Sequence, residues 1–342
     1  MQPDSQTTAA KPESPPKPAE SGIREGRMRF IFNPCSGKRR NARLLPIVRS
    51  LIASRSLDAD LVTTEGPGHA TELAGEAVAG GCARVVAVGG DGTVNEVAQA
   101  LVNSNTTLAL VPCGSGNGLA RHLGLPGLPE KALELAADPG ASLASMDTGS
   151  VNGHPFFNAM GLGLDAEVSR RFNGIKRRGL PAYAKTALEV FFQRRTERCV
   201  ITFDDRSQAL EAMLIAVANS DQYGNGAFVA PGARVDDGLL DLVAVQPVGI
   251  FGAAALGFRL FSGSFDRSSR VHHIRGEQFI IGRPFAGTVH TDGEIHETGA
   301  ILKISVHPHS LSIVVSSDFA NSGRKRHPDA AALRILPFAL NL

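Results

Sequence analysis

From Arg27 onward the apolar and polar positions of the chain follow one rhythm, and after about Asp147 they follow another. In the first part, short apolar runs alternate with longer stretches in which apolar residues recur every three or four positions. Met28–Phe32 reads as a strand that stops at Asn33-Pro34, where proline lacks the amide hydrogen a sheet needs. Residues 42–54 place Leu44, Leu45, Val48, Leu51 and Ile52 on one face, which predicts an amphipathic helix. Residues 60–64, 84–88 and 108–111 predict further strands, separated by helices over 70–79 and 94–102. Strands alternating with helices pair in parallel with the helices on the sheet's faces, so this part is expected to be an α/β, Rossmann-like domain.

In the second part short β-like runs dominate, at 156–159, 199–203, 211–217, 240–245, 278–281, 287–290, 301–306 and 310–315. Helical stretches interrupt them near 183–194 and 249–261. Short strands with Gly and Asp turns between them predict an antiparallel, β-sandwich second domain. The expected organisation is a disordered tail over 1–26, an α/β domain over 27–146, a β-sandwich domain over 147–304 and a C-terminal tail over 321–342. The first tail follows from composition: residues 1–22 are mainly Pro, Ser, Lys, Glu and Thr, with almost nothing to bury.

Charge and cysteine usage narrow the function classes. A net charge of +2 on 342 residues excludes the global basic field of a nucleic-acid binder. Basic residues cluster locally at 38–40, 170–171, 176–178, 194–195 and 324–326, either as solvated faces or as weak attraction to an anionic membrane surface. Cys35, Cys82, Cys113 and Cys199 form no Cys-x-x-Cys pair, which argues against a zinc knuckle, a redox dithiol or a disulfide framework and fits a reducing cytoplasm. No apolar run reaches the roughly 18–20 residues of a membrane-spanning helix.

The candidate chemistry sits where the α/β strands end, because ligands of such sheets gather beyond the carboxyl ends. Three polar, glycine-bearing turns converge there: Asn33 to Gly37, Gly89 to Thr93, and Pro112 to Asn117. Val85–Val88 runs directly into Gly89-Gly90-Asp91-Gly92-Thr93 and then a helix. Glycines let backbone amides approach a phosphate, the helix start adds partial positive charge, and Thr93 offers a hydroxyl. Asp91 would repel a phosphate unless it holds a metal or takes a proton. Each turn alone reads equally as an ordinary αβ connection; three on one edge are hard to explain that way. Neither the dinucleotide Gly-x-Gly-x-x-Gly spacing nor a Walker A loop is present, which removes a dinucleotide-dependent oxidoreductase.

These turns, with Asn95-Glu96 after the second and Leu119-Ala120-Arg121 after the third, resemble the catalytic domain of soluble diacylglycerol kinases and sphingosine kinases. The resemblance continues through Asp147-x-Gly149, Asn158, Gly161-x-Gly163, Asn219, Tyr223-Gly224-x-Gly226, the run from Asp236 to Asp241, and Asp292-Gly293-Glu294, covering roughly residues 27–316. The Gly-Gly-Asp-Gly-Thr element is shared with NAD kinases and marks the superfamily, whereas the later motifs favour the lipid branch. The resemblance implies an ATP-dependent kinase that phosphorylates the hydroxyl of a lipid alcohol: diacylglycerol, or a ceramide or sphingoid base. It also implies Mg²⁺, a chain that returns to the first domain over about 305–320, peripheral attachment to a membrane surface, no nucleic-acid partner and a homodimer among the expected assemblies. The implied nucleotide-side residues are Asn33, Thr64, Gly89, Gly90, Asp91, Gly92, Thr93, Val94, Asn95, Gly114, Ser115 and Asn117, with His69 beside Thr64 read as a helix-start residue. The implied Mg²⁺ ligands are the Asp237 side chain and the carbonyls of Arg234 and Leu239, in a stretch that also reads as a hairpin turn.

Glu294 is the implied catalytic base. Asp91 is the competing base, or else it orients a metal, and Asp147 is expected to assist it. Asp292-Gly293 between β-like runs is at the same time a strong hairpin signal. The apolar stretch 249–261 is expected to be a packed core helix, the alternative being a wall of an acyl-chain cleft or an interfacial helix. Two rival functions stand beside the lipid kinase: an NAD-kinase-like phosphotransferase with a soluble acceptor, and a non-catalytic lipid- or nucleotide-binding relative.

Overall fold

The computed structural model describes residues 26–37, 39–173 and 196–322. The expected helix at 183–194, the basic clusters at 176–178, 194–195 and 324–326, and nearly all of both tails lie outside the described residues.

The first part alternates as read: β1 (Met28–Phe32), α1 (Arg39–Ser54), β2 (Ala59–Thr63), α2 (His69–Ala79), β3 (Arg84–Gly89), α3 (Asp91–Leu101) and β4 (Thr107–Pro112). The four strands run parallel in the order β2-β1-β3-β4. Every residue of β3 and β4 is buried, so neither shows a two-residue period; a parallel strand covered on both faces reads as a continuous apolar run. On one face Ile31, Val85 and Ala87 pack with Leu73, Val97 and Leu101 of α2 and α3. On the other, Phe30, Phe32 and Val86 pack with Leu44 and Val48 of α1.

The chain continues through α4 (Gly118–His122), α5 (Pro129–Ala136), β5 (Leu143–Val151), β6 (His154–Phe156), β7 (Ala159–Gly163), α6 (Leu164–Asn173), β8 (Glu197–Phe203), β9 (Arg206–Ala212), β10 (Leu214–Ala218) and β11 (Leu240–Val245). It ends with α7 (Ile250–Phe261), β12 (Val271–Gly276), β13 (Gln278–Gly282), β14 (Gly287–Thr291), β15 (Glu294–Thr298), β16 (Ile301–Val314) and α8 (Ser317–Ser322). A six-stranded antiparallel sheet, β12-β11-β10-β7-β14-β15, faces the strands β13, β8 and β9. Between them lies a sandwich core of Phe156, Phe279, Ile281 and Leu302 from one sheet and Met160, Leu162, Val217 and Leu242 from the other. The architecture is therefore a mostly parallel α/β domain followed by an antiparallel β-sandwich.

The two parts share a sheet through β16. Its first half pairs with β13 (Ile304 opposite Phe279), and its last residues lie parallel to β4 (Ile313 opposite Leu108), giving the order β2-β1-β3-β4-β16-β13-β8-β9. The periodicity places two strands at 301–306 and 310–315; the structure has one, with an irregularity between His307 and Leu311 where His309 takes φ 52°. Conversely, the run 211–217 splits at Met213 into β9 and β10. The strands β5, β12 and β15 and the helices α5 and α6 have no counterpart in the sequence reading. β5 shows why: Asp147 and Thr148 are fully buried polar residues satisfied by distant partners, which masks the apolar pattern of a core strand.

Candidate active site

The three glycine-bearing turns meet at the carboxyl edge of β1, β3 and β4. α3 opens at Asp91, three residues earlier than its apolar spacing suggests, so Gly92 and Thr93 sit in its first turn. The turns are tied to one another: the Gly90 amide donates to Ser36 Oγ at 3.2 Å, Asn33 Nδ2 to Thr93 Oγ1 at 2.8 Å, and the Cys113 amide to the Gly89 carbonyl at 2.7 Å. Gly90 and Gly114 are packed so closely that a Cβ on Gly114 would stand 2.9 Å from the Gly90 Cα, a separation that only glycine permits.

Asp91 joins the second turn to the third. Its Oδ2 accepts the Asn117 amide at 3.0 Å and its Oδ1 the Gly118 amide at 3.1 Å. The protein crowded around the cleft pushes its carboxyl above the usual carboxylate range, against the pull of those two amides, although the residue keeps access to solvent. The third turn is in turn stitched to the second domain: Asn117 bridges Gly224, and the Asn225 amide donates to the Gly116 carbonyl at 3.3 Å. His122 Nδ1 and Asp221 Oδ1 lie 2.8 Å apart a turn further on.

From the second domain comes the β14–β15 hairpin. Asp292 (φ 50°) and Gly293 (φ 89°) both adopt the left-handed conformation of a primed two-residue turn, and Glu294 is the exposed first residue of β15. Turn and site are thus the same feature. The Asp292 carboxylate accepts the amides of Phe157 (2.7 Å), Asn158 (2.9 Å) and Ala159 (2.9 Å), which fixes the hairpin against β7. Burial outweighs these three donors and pushes the carboxyl up to about 6. Between the unfolded value near 3.8 and about 6 the folded state holds the proton more tightly, so this group favours folding below that window and the contribution is lost as pH rises through it. Activity should run the other way. Protonation turns one acceptor oxygen into a donor facing an amide and loosens the hairpin that carries Glu294. Turnover is therefore expected to fall as pH drops through about 6, without any loss of thermal stability from this group. Parallel pH profiles of kcat/KM and of the melting temperature check it; a flat activity profile across that window would contradict it.

One cleft of about 750 Å³ joins these parts. Asp91, Gly92, Val94, Asn95, Ser115 and Gly116 of the first domain line it together with Asp292, Gly293 and Glu294 of the hairpin. Leu164, Val168, Leu214, Val229, Leu260 and Phe265 form an apolar wall from the second domain. The amide oxygen of Asn95 is buried and has no hydrogen-bond partner among the described residues. Asn33, Gly89, Gly90, Thr93, Gly114 and Asn117 shape the turns beside this lining, and Thr64 is buried with its amide on the Phe32 carbonyl. His69 is the first residue of α2 and accepts the Glu65 amide on Nδ1 at 3.0 Å. Glu96, on the cleft wall, accepts the Ala70 amide at 3.0 Å and so secures the start of α2.

Asp147 does not hydrogen-bond to Asp91. Its fully buried carboxylate accepts the amides of Gly238 (2.7 Å) and His309 (2.8 Å), holding the 234–239 turn against the irregularity of β16. In that turn Asp236 pairs with Arg234, while Asp237 takes the Leu239 amide on Oδ1 at 3.2 Å and the Arg275 guanidinium on Oδ2. Arg275 also reaches Asp241 Oδ1 at 3.3 Å, and the other Asp241 oxygen is buried without a hydrogen-bond partner among the described residues. Burial pushes both Asp147 and Asp237 above the usual range. No three His, Cys, Asp or Glu side chains among the described residues form a metal cage. Any ion at this turn would depend on backbone carbonyls.

A parallel sheet with glycine corners, closed over by a sandwich that contributes an acidic hairpin, is the architecture of a nucleotide-dependent phosphotransferase. The comparisons agree. Residues 27–151 match the diacylglycerol kinase catalytic domain, and residues 158–315 match the YegS C-terminal NAD kinase beta sandwich-like domain. A Pseudomonas aeruginosa protein named "Probable lipid kinase YegS-like" is 33% identical over 250 residues, which cover 72% of this chain and 81% of the relative. A diacylglycerol kinase of Bacillus subtilis is 30% identical over 227 residues, covering 64% and 74%. Among solved structures, a diacylglycerol kinase of Bacillus anthracis superposes with a TM-score of 0.68 at 23% identity, covering 86% of this chain and 98% of that one. An ATP-bound NAD kinase of Archaeoglobus fulgidus shares the fold more distantly, with a TM-score of 0.51 at 13% identity, covering 86% and 96%. The chain belongs to the diacylglycerol kinase-like family of lipid kinases.

Proposed function

We propose that the protein transfers the γ-phosphoryl group of ATP to the hydroxyl of a lipid alcohol, diacylglycerol foremost and a ceramide or sphingoid base next. The observation that carries this reading is a single cleft lined by glycine corners with Asp91, by an apolar wall and by Glu294. An acyl or alkyl chain fits the wall, which a charged, soluble acceptor such as NAD would leave unused.

In this reading ATP enters as its magnesium complex, the substrate. Amides of the two turns that border the cleft, those of Gly92, Ser115 and Gly116, hold its phosphates, and Asn95 offers its unfilled amide oxygen to a nucleotide hydroxyl or amino group. The lipid oxygen attacks the γ-phosphorus as the bond to the bridging oxygen breaks and ADP leaves. Glu294 takes the hydroxyl proton. Asp91 keeps the third turn in register with the second through its two amide bonds, beside the phosphates.

A second Mg²⁺ would be held by the Asp237 side chain with the Arg234 and Leu239 carbonyls. The donors are hard oxygens, and close by one Asp241 oxygen is buried with no hydrogen-bond partner among the described residues. There the ion would fasten the turn between the domains, in competition with Arg275. Mg²⁺ is accordingly expected to raise the melting temperature of the nucleotide-free protein, and Asp237→Asn to abolish that response. An unchanged melting temperature in Mg²⁺ and in EDTA would contradict this assignment.

The proposed activity is tested by incubating the protein with labelled ATP and extracted lipids, alongside diacylglycerol, ceramide, a sphingoid base and NAD, with mass identification of the product. A phosphorylated lipid supports it. Phosphorylated NAD alone, or no product, overturns it.

A further inference from the structure

Helix α7 has one buried and one exposed face, and both are apolar. Ala253, Leu256 and Leu260 pack on Val229, Val243, Val245 and Phe265. The opposite face carries Phe251, 89% exposed, and Phe258, 77% exposed, one helical repeat apart, with Ile250 and Phe261 beside them and Ala254 and Ala255 between. The helix contains one charged residue, Arg259, whose Nη1 turns back to the Ser264 carbonyl. The expectation of a core helix is therefore corrected: its inner face is core, its outer face meets solvent without a polar side chain. At twelve residues it is too short to cross a bilayer, and no helix among the described residues is long and apolar enough to do so.

Two further observations select what covers this face. The helix's last residues, Leu260 and Phe261, also line the cleft that holds Asp91 and Glu294, so the exposed face runs on into the apolar wall of the site. Just beyond the helix, Arg267 and Arg270 are exposed, while the neighbouring acid Asp266 is half-buried. An apolar helix face flanked by exposed arginines complements the boundary between anionic headgroups and acyl chains.

We propose that α7 is a membrane-docking helix: Phe251 and Phe258 enter the acyl boundary of an anionic bilayer, Arg267 and Arg270 meet its headgroups, and the lipid substrate passes along Leu260 and Phe261 to Glu294. The route of the substrate rests on the lipid-kinase reading; the docking itself does not.

The test uses the full chain and the double variant Phe251→Ser/Phe258→Ser, whose side chains lie outside the core and the cleft wall. Both proteins are sedimented with phosphatidylcholine vesicles, with and without phosphatidylglycerol, and assayed on short-chain diacylglycerol in detergent micelles. Wild type is expected to bind the anionic vesicles and the double variant to bind about tenfold more weakly or less, with micellar activity unchanged. Arg267→Gln and Arg270→Gln should each weaken binding about fivefold, only where phosphatidylglycerol is present. Equal vesicle binding by wild type and the double variant overturns the proposal. So does a wild-type dimer in light scattering that the double variant loses, because a second copy then covers the face. Vesicle binding that depends on both phenylalanines, with no lipid phosphorylated in micelles of diacylglycerol, ceramide, sphingoid base or extracted lipid, upholds docking and overturns the lipid-kinase reading instead.

Discussion

Glu294→Gln is expected to lower turnover about 10²–10⁴-fold while leaving the KM for ATP and the melting temperature near the wild-type values. The residue is exposed at the start of β15, among the cleft's lining, and its side chain makes no hydrogen bond or ion pair among the described residues. Replacing its carboxylate by an amide of the same shape therefore removes a proton acceptor and little else. The hairpin beneath it is held through Asp292, which the substitution leaves in place. Steady-state kinetics with labelled ATP and mixed lipid micelles, together with thermal denaturation, check the result. Near-normal turnover would remove Glu294 as the base and return that role to Asp91.

Asp91→Asn is expected to act more broadly. Turnover should again fall, by about 10²-fold through misplaced phosphates, but here the KM for ATP should rise as well and the protein should lose stability. The two carboxylate oxygens each hold one amide of the third turn. Asparagine keeps one acceptor and presents an NH₂ group to the other amide, losing a charge-assisted hydrogen bond worth roughly 1.5–3 kcal/mol. At about 2–4 °C per kcal/mol for a chain of this size, the melting temperature should drop by several degrees. The contrast between the two variants carries the information: a loss confined to turnover at Glu294, and a loss of turnover, nucleotide binding and stability together at Asp91. An Asp91→Asn protein with unaltered KM and melting temperature would show that the observed tether has no consequence in solution.

How much of this was legible in the chain depends on how far apart the interacting residues lie. The α/β domain and the glycine corners were readable because their signals are local: a buried apolar run followed immediately by Gly89-Gly90 needs no distant partner to be interpreted. The Asp292-Gly293 turn was readable for the same reason. The positions of the acids were not. Asp91 looks like a group facing a ligand, yet its carboxylate grips amides 26 and 27 residues further on. Asp292 passes as a turn residue, whereas its carboxylate clamps three amides more than 130 residues back. Asp147, expected to assist Asp91, also braces the 234–239 turn and β16, which only the return of the chain to the first sheet makes possible. The exposed side of α7 was hidden differently. An apolar stretch has the same letters whether it packs inward or faces outward, and only the arrangement of its neighbours decides.

The central claim is that one triphosphate lies among the glycine corners with Glu294 facing its outermost phosphorus. The most direct measurement is a crystal structure of the protein with a non-hydrolysable ATP analogue and Mg²⁺. The account predicts phosphates on the amides of Gly92, Ser115 and Gly116, with the Glu294 carboxylate facing the γ-phosphate across the same cleft. A triphosphate bound away from these turns, or a Glu294 separated from the γ-phosphate by protein, would contradict it.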